Sequence, residues 1–278
     1  MYSRVYVEIT NICNMNCSFC HGHNRALRQM TEAEYARILD QLSGKTKYIY
    51  HHLMGEPLAH PLLPRFIQMA RQAGFSPMIT TNGTLLDSRG NDLLNKGLHK
   101  VTISLHSFEK DQPDFHRQYI EKVASFAQKA NDSGIIISLR LWNNGCDDGK
   151  NEITLNLLQE MLSGQWSPNT RGYRIRDKLF LEWGDRFSWP DWNAPDYGSE
   201  VACYGLRDHF GILCDGTVVP CCLDSDGSIP LGNVFQQELS HILSSSRAET
   251  MAEGFRCRTA TEEFCRHCGY GQNVNKAK

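Results

Sequence analysis

What most limits the fold of this 278-residue chain is an alternation of short apolar strands with glycine-stopped amphipathic helices through its first two-thirds. β-Branched and aromatic runs predict strands over 5–10, 48–53, 78–81, 101–105, 135–141 and 178–183. Helical patterns fall between them, over 31–42, 61–73, 87–96, 113–132 and 152–162. Thr31 and Glu34 stand at the N-cap and capping-box positions of the first, and Gly44, Gly74, Gly97 and Gly134 follow the first four. Six strand–helix units of roughly 30 residues each agree with a parallel sheet. The 135–141 run is almost continuously apolar, as a strand buried on both faces should be. Eight such units close a barrel; six leave one side open. The expected fold is therefore α/β: a partial (β/α)6 TIM-like barrel over 1–185, then a small Cys-rich α+β domain with a β-hairpin over 186–278. Ligands then belong at the C-terminal ends of the strands.

With 29 basic and 31 acidic side chains, the charge balance gives no footprint for nucleic acid or an anionic membrane. No apolar run approaches the ~20 residues of a membrane span, and the N-terminus lacks a signal-peptide core. A cytoplasmic protein is expected. In that compartment eleven cysteines read as metal ligands before disulfides.

The first strand runs into Cys13-Asn14-Met15-Asn16-Cys17-Ser18-Phe19-Cys20. Three thiols on one loop can converge on one metal centre. They supply one ligand fewer than a four-cysteine cluster needs, which leaves one iron of a [4Fe–4S] cluster open. The other reading is a structural zinc site closed by His21 or His23.

Cys-x-x-x-Cys-x-x-Cys after a first strand, with the aromatic Phe19 before the last cysteine, resembles the radical S-adenosylmethionine (radical SAM) enzymes. The resemblance implies a [4Fe–4S] cluster on Cys13, Cys17 and Cys20 whose open iron binds S-adenosylmethionine. Electron transfer then cleaves the cofactor to a hydrogen-abstracting 5′-deoxyadenosyl radical, and a reductant such as flavodoxin or ferredoxin must supply the electron. After the second strand, Met54-Gly55-Glu56-Pro57 reads on its own as a turn. It also resembles the family's Gly-Gly-Glu segment, with Met54 for the first glycine, which implies that Gly55 and Glu56 meet the cofactor's ammonium group. Thr81-Asn82-Gly83 is similar to the family's Thr-Asn-Gly beside the cofactor. Ser104 and Arg117 match polar positions that hold its ribose and carboxylate.

Trp183, Trp189 and Trp192 lie among Asp and Arg residues, in a stretch that reads as a packed connector or as a substrate wall with Arg186 as a contact. A hairpin with a type I′ Asp215-Gly216 turn is predicted next, delivering Cys221 and Cys222; a helix near 236–252, Cys257, Cys265 and Cys268 follow. With Cys203, this is a ligand set for zinc or a [4Fe–4S] cluster. Cys203, Cys221 and Cys265-x-x-Cys268 resemble the shortened SPASM, or twitch, domain, which implies one auxiliary [4Fe–4S] cluster on those four. No further cysteine-rich run follows Cys268, so two clusters in all are expected. Cys146, Cys214, Cys222 and Cys257 default to small buried hydrophobes.

The resemblance thus implies an enzyme that abstracts hydrogen from an unactivated C–H bond of a small polar substrate. Two-electron oxidation with the auxiliary cluster as acceptor is the expected outcome. Epimerisation is the alternative, with Cys222 as hydrogen donor: neighbours on an extended strand face opposite ways, so Cys222 points to the core, as expected here, or to the cavity. Modification of a peptide, as in RiPP maturases, is a third outcome. Strand one starts at Val5, with no room before it for a peptide-recognition domain, which favours a small molecule. A non-enzymatic iron–sulfur or zinc protein would account for the cysteines but not for Gly55-Glu56.

Overall fold

The computed structural model describes residues 1–109 and 112–271. Its strands are β1 (Val5–Val7), β2 (Tyr48–Tyr50), β3 (Ser76–Thr81), β4 (Lys100–Ser104), β5 (Ile136–Asn144), β6 (Ser167–Asn169), β7 (Gly172–Arg176), β8 (Leu179–Asp185), β9 (Gly211–Ile212), β10 (Thr217–Val219) and β11 (Gly232–Asn233). Among the described residues they form one open sheet, in the order β11-β10-β9-β1-β2-β3-β4-β5-β8-β7-β6. The six expected parallel strands are β1 to β5 and β8, paired in sequence order.

Helices α1 (Glu32–Leu42), α2 (Leu63–Gln72), α3 (Leu86–Arg89), α4 (Pro113–Asp132) and α5 (Lys150–Met161) connect these strands. The capping box of α1 is formed: Thr31 Oγ1 accepts from the Glu34 N–H, and the Glu34 carboxylate accepts from the Thr31 N–H. The helix buries Tyr35, Ile38, Leu39 and Leu42, and α2 buries Leu63, Phe66, Ile67 and Ala70, each at i, i+3, i+4, i+7 spacing. Tyr35 and Phe66 stack at 4.4 Å where the two helices meet. On the strands, Val5, Val7, Ile137 and Leu139 are fully buried against the helices, so Tyr6, Ser138 and Arg140 turn to the other face.

Four expectations change. The helix over 87–96 is broken: α3 ends at Arg89 and a 3-10 turn runs Gly90–Leu93. Gly90 packs under Phe126, where a Cβ would lie 2.7 Å from the ring. The antiparallel hairpin β6–β7 precedes the sixth parallel strand and pairs with it. The helix near 236–252 is two, α6 (Leu239–Leu243) and α7 (Ser246–Arg256), divided where Ser245 caps the Ala248 N–H. The β9–β10 hairpin forms, but not on a type I′ turn. The Leu213 carbonyl accepts from the Gly216 N–H, and among the turn's residues Gly216 alone is left-handed, at φ 87°. That is a three-residue loop with a glycine bulge. A last helix, α8 (Glu263–Arg266), carries Cys265. No described helix is long and apolar enough to cross a membrane.

Candidate active site

The cysteine loop hangs from a closed stem. The Asn11 amide donates to the Ala26 carbonyl, the Arg28 N–H donates to Asn11 Oδ1, and the Met30 N–H donates to the Ile9 carbonyl. The loop therefore leaves and returns at the C-terminal end of β1, the edge expected for ligands. Cys13 and Cys20 are exposed and Cys17 is half-buried. Glu109, after β4, clamps the tip: both carboxylate oxygens accept from the Ser18 N–H, at 3.1 and 2.9 Å. Trp189 Nε1 donates to the Phe19 carbonyl at 3.1 Å, and the Phe19 ring lies 4.9 Å from His106. Burial pushes the Cys17 thiol up to about 11, helped by Glu109 and the two other thiols; burial likewise raises Cys13.

Two neighbouring loops converge beneath it. Gly55 is left-handed, at φ 74°, and a Cβ there would sit 2.4 Å from the Thr10 carbonyl oxygen and 2.9 Å from Asn11 backbone carbon. Only glycine lets the loop after β2 pass this close to the cysteine-loop stem. Glu56 is buried and its oxygens are taken: Oε1 accepts from the Leu58 N–H and Thr81 hydroxyl, Oε2 from the Asn82 N–H, at 2.7–3.0 Å. Burial outweighs these bonds and raises its carboxyl to about 7. The Asn82 amide donates to Asn14 Oδ1 at 3.0 Å, tying the loop after β3 to the cysteine loop. Glu56 thus holds the loops after β2 and β3 together.

The remaining expected residues fare differently. Ser104 ends β4 half-buried, opposite Arg140. Arg117 does not join the site: exposed on α4, it pairs with Glu160 of α5 and with Glu121. Arg186 is exposed on the segment leaving β8.

The second cysteine set is gathered by the hairpin and the C-terminal segment. Gly205 marks the contact: a Cβ there would lie 3.4 Å from Cys203 Sγ and 3.5 Å from Cys221 Cβ, and its N–H points at Cys203 Sγ, 3.3 Å away. Burial first, then neighbouring thiols, raise Cys203 to about 11 and push Cys221 and Cys265 well up; burial also raises Cys268. Thiols that suppress one another's ionisation are relieved by a bound cationic centre. Cys222 is not placed by strand alternation, because β10 ends at Val219 and Cys221-Cys222 lie in a turn. Its side chain packs against the cluster of Leu53, Met54, Leu213 and Val219, as Tyr6 and Trp189 also do; burial raises its thiol to about 11. Cys146 and Cys257 are exposed, against the default of burial; Cys214 is buried.

The profile of the Radical SAM superfamily matches residues 7–143, and that of the SPASM iron–sulfur cluster-binding domain matches 203–269. The chain belongs to the radical SAM superfamily. A GTP 3′,8-cyclase of Chlorobaculum tepidum is 30% identical over 112 residues, 39% of this chain and 34% of that one. The chain thus spans about a third of that curated relative. BtrN, solved with AdoMet and 2-DOIA, superposes with a TM-score of 0.62 at 19% identity, covering 96% of this chain and 93% of BtrN. Streptococcus suis SuiB bound to S-adenosylmethionine gives 0.61 at 16% identity, covering 99% and 74%. These two likenesses are of fold.

Radical SAM proteins use a [4Fe–4S] cluster and S-adenosylmethionine, and the SPASM domain binds further iron–sulfur centres. Among the described residues no three His, Cys, Asp or Glu side chains converge tightly enough for a single ion; a [4Fe–4S] cluster takes one thiolate per iron. The residues fit such groups on two observations: the glycine-only approach at Gly55, and the mutually raised thiols around Cys221 with a backbone N–H aimed at one sulfur. His106, Glu109 and the stem residue Asn11 escaped the sequence reading. Nothing in local spacing marks them: His106 and Glu109 reach the cysteine loop from the end of β4, and Asn11 bonds residues fifteen and seventeen positions on.

Proposed function

We propose that this radical SAM enzyme reductively cleaves S-adenosylmethionine and abstracts hydrogen from an unactivated C–H bond of a small polar substrate, ending in a two-electron oxidation. The observation that carries this reading is the three-thiol loop at the C-terminal edge of the parallel strands, clasped by Gly55, Asn82 and Glu109. Cys13, Cys17 and Cys20 would hold the first cluster, and Cys203, Cys221, Cys265 and Cys268 the auxiliary one, in a unit over 186–278 set against the barrel of 1–185. The bound cluster and S-adenosylmethionine together supply the hydrogen-abstracting radical; the auxiliary centre would take the second electron. Glu56 and Asn82 fix the loops against each other. Phe19, His106 and Trp189 pack along one side of the loop. Ser104, at the end of β4, and Arg140, opposite it on β5, would face the substrate.

A specific contact favours epimerisation as the second reading. Cys222, the candidate hydrogen donor, packs on the same cluster as inward-facing Tyr6 and stays protonated at neutral pH. Peptide modification finds support in SuiB, solved also with its precursor peptide SuiA. The deciding experiment is anaerobic incubation of reconstituted protein with S-adenosylmethionine and a reductant, with detection of 5′-deoxyadenosine. If none forms, the proposal falls. With a substrate in hand, turnover in D2O separates the outcomes. Deuterium on the product carbon, lost in Cys222→Ala, means epimerisation; a product two hydrogens lighter means oxidation.

A further inference from the structure

Below the cysteine loop, the inward faces of the strands line a polar lumen. Lys100 and Thr102 on β4, Ser138, Arg140 and Trp142 on β5, and Glu182 on β8 alternate with the residues that pack on the helices. Tyr6, Tyr50 and His52 close the near side; Tyr6 stacks on Tyr50 at 5.1 Å, and His52 stands edge-on to both. One ring links lumen and loop: His106 lies 4.9 Å from Phe19, and its Nδ1 is 3.1 Å from the Arg140 carbonyl oxygen.

Arg140 is held in place but incompletely paired. Its guanidinium lies 3.8 Å over the Trp142 ring. Gly184 makes room for that indole, since a Cβ there would come within 2.6 Å of Trp142 Cδ1. Glu182 lies 3.9 Å from Arg140 Nη2 and 3.9 Å from Lys100 Nζ, within ion-pair range of both but too far to accept a hydrogen bond from either. Arg140 Nε, Thr102 Oγ1, Ser138 Oγ and His52 Nδ1 are buried without a partner among the described residues. Burial, above all, lowers both Arg140 and Lys100, and with Arg140 it drives His52 down to about 3, so the imidazole is neutral. Of the other charges that reach Arg140, Arg171 on the β6–β7 turn adds to the positive side. Arg4 reaches Tyr6, Tyr50 and Lys100 as well as Cys222, so it adds to the positive side too, and its Nε is likewise buried without a partner among the described residues. Two partly buried cations thus share one carboxylate amid unmet polar atoms, an arrangement that a second anion would complete.

We propose that Arg140 and Lys100 seat an anionic group of the substrate, a carboxylate or phosphate, with Thr102, Ser138 and His52 as neutral hydrogen-bond partners. The inference rests on reading the lumen as the substrate chamber. The carboxylate of S-adenosylmethionine has the same chemistry, so the test separates the two sources.

Reconstituted enzyme saturated with S-adenosylmethionine is titrated calorimetrically with inorganic phosphate and, separately, with myo-inositol as an uncharged polyol. Phosphate should bind, and bind about tenfold or more weakly in Arg140→Gln. Lys100→Met, at a half-exposed position, should show the same direction and keeps the test open if Arg140→Gln fails to fold. Binding of inositol without phosphate, or phosphate binding unaltered in both variants, overturns the proposal. So does a loss of S-adenosylmethionine affinity in Arg140→Gln with phosphate binding intact, which would give the guanidinium to the cofactor. Calorimetry needs no turnover, so its failure is distinct from an absence of 5′-deoxyadenosine.

Discussion

Replacing Glu56 tests whether one buried carboxylate organises the mouth of the barrel. It accepts from two backbone N–H groups, Leu58 and Asn82, and from the Thr81 hydroxyl. Each buried donor left unsatisfied costs about 1–3 kcal/mol, so Glu56→Ala should destabilise the chain by about 3–5 kcal/mol. The pH dependence gives a sharper test. The carboxyl is raised from 4.5 to about 7 by burial, so the folded chain keeps a proton that the unfolded chain releases. Its contribution is therefore greatest below pH 4.5 and falls as pH rises toward 7. At about 1.4 kcal/mol per unit, the loss totals about 3 kcal/mol. Glu56→Gln removes the titration, so relative to wild type it should gain up to about 3 kcal/mol across that window. Urea unfolding of iron-free protein at pH 5 and pH 8, wild type against Glu56→Gln, reads the difference. A difference that does not change with pH would refute the burial argument, and Glu56→Ala within about 1 kcal/mol of wild type would refute the organising role.

Three further outcomes are expected. Replacing Cys13, Cys17 and Cys20 together by Ala should abolish 5′-deoxyadenosine formation and reduce iron from about eight to about four per chain; eight iron retained would mean that the loop holds no cluster. Gly55→Ala, which puts a Cβ 2.4 Å from the Thr10 carbonyl oxygen at a left-handed position, should cost about 1–3 kcal/mol in thermal unfolding and weaken S-adenosylmethionine binding; wild-type values for both would show that the loops can part freely. Glu8→Gln should cost about 3–5 kcal/mol, because it strips the charge partner from half-buried Arg25, 2.6 Å away; a change below 1 kcal/mol would mean that solvent already satisfies Arg25.

The barrel strands were legible because each carries a local signal: an apolar run, a capping box or a glycine stop. The β6–β7 hairpin was not, since Ser167–Asn169 is exposed throughout and offers no apolar period. Strand β5 is more informative. It is buried on both faces, as its apolar run suggested, but one of those faces is polar: Ser138 and Arg140 face the lumen between Ile137, Leu139 and Leu141. Taken with Lys100, Thr102 and Ser104 on β4, polar residues at every second position of neighbouring parallel strands were the available sign of that lumen. The expected cofactor contact at Arg117 failed for the opposite reason. A lone arginine has no local signature, and Glu160 forty-three positions away claims it.

The connection between the two thiol sets could not be read from spacing either, because it is made by strand pairing. Strand β9 lies parallel to β1, with Tyr6 opposite Gly211 and Val7 opposite Ile212. Gly211 has no room for a side chain there, since a Cβ would meet Leu53 at 2.6 Å and Val219 at 2.8 Å. One residue beyond that register, Glu8 is fully buried and binds Arg25 on the returning limb of the cysteine loop, the Met54 N–H after β2 and the Cys214 N–H in the hairpin turn. The cysteine loop and the hairpin that presents Cys221 therefore hang from the same strand and the same carboxylate. Their separation is set by β1, not by the irregular segment from 186 to 210 that joins them along the chain. That makes β1 the element on which the placement of both thiol sets depends.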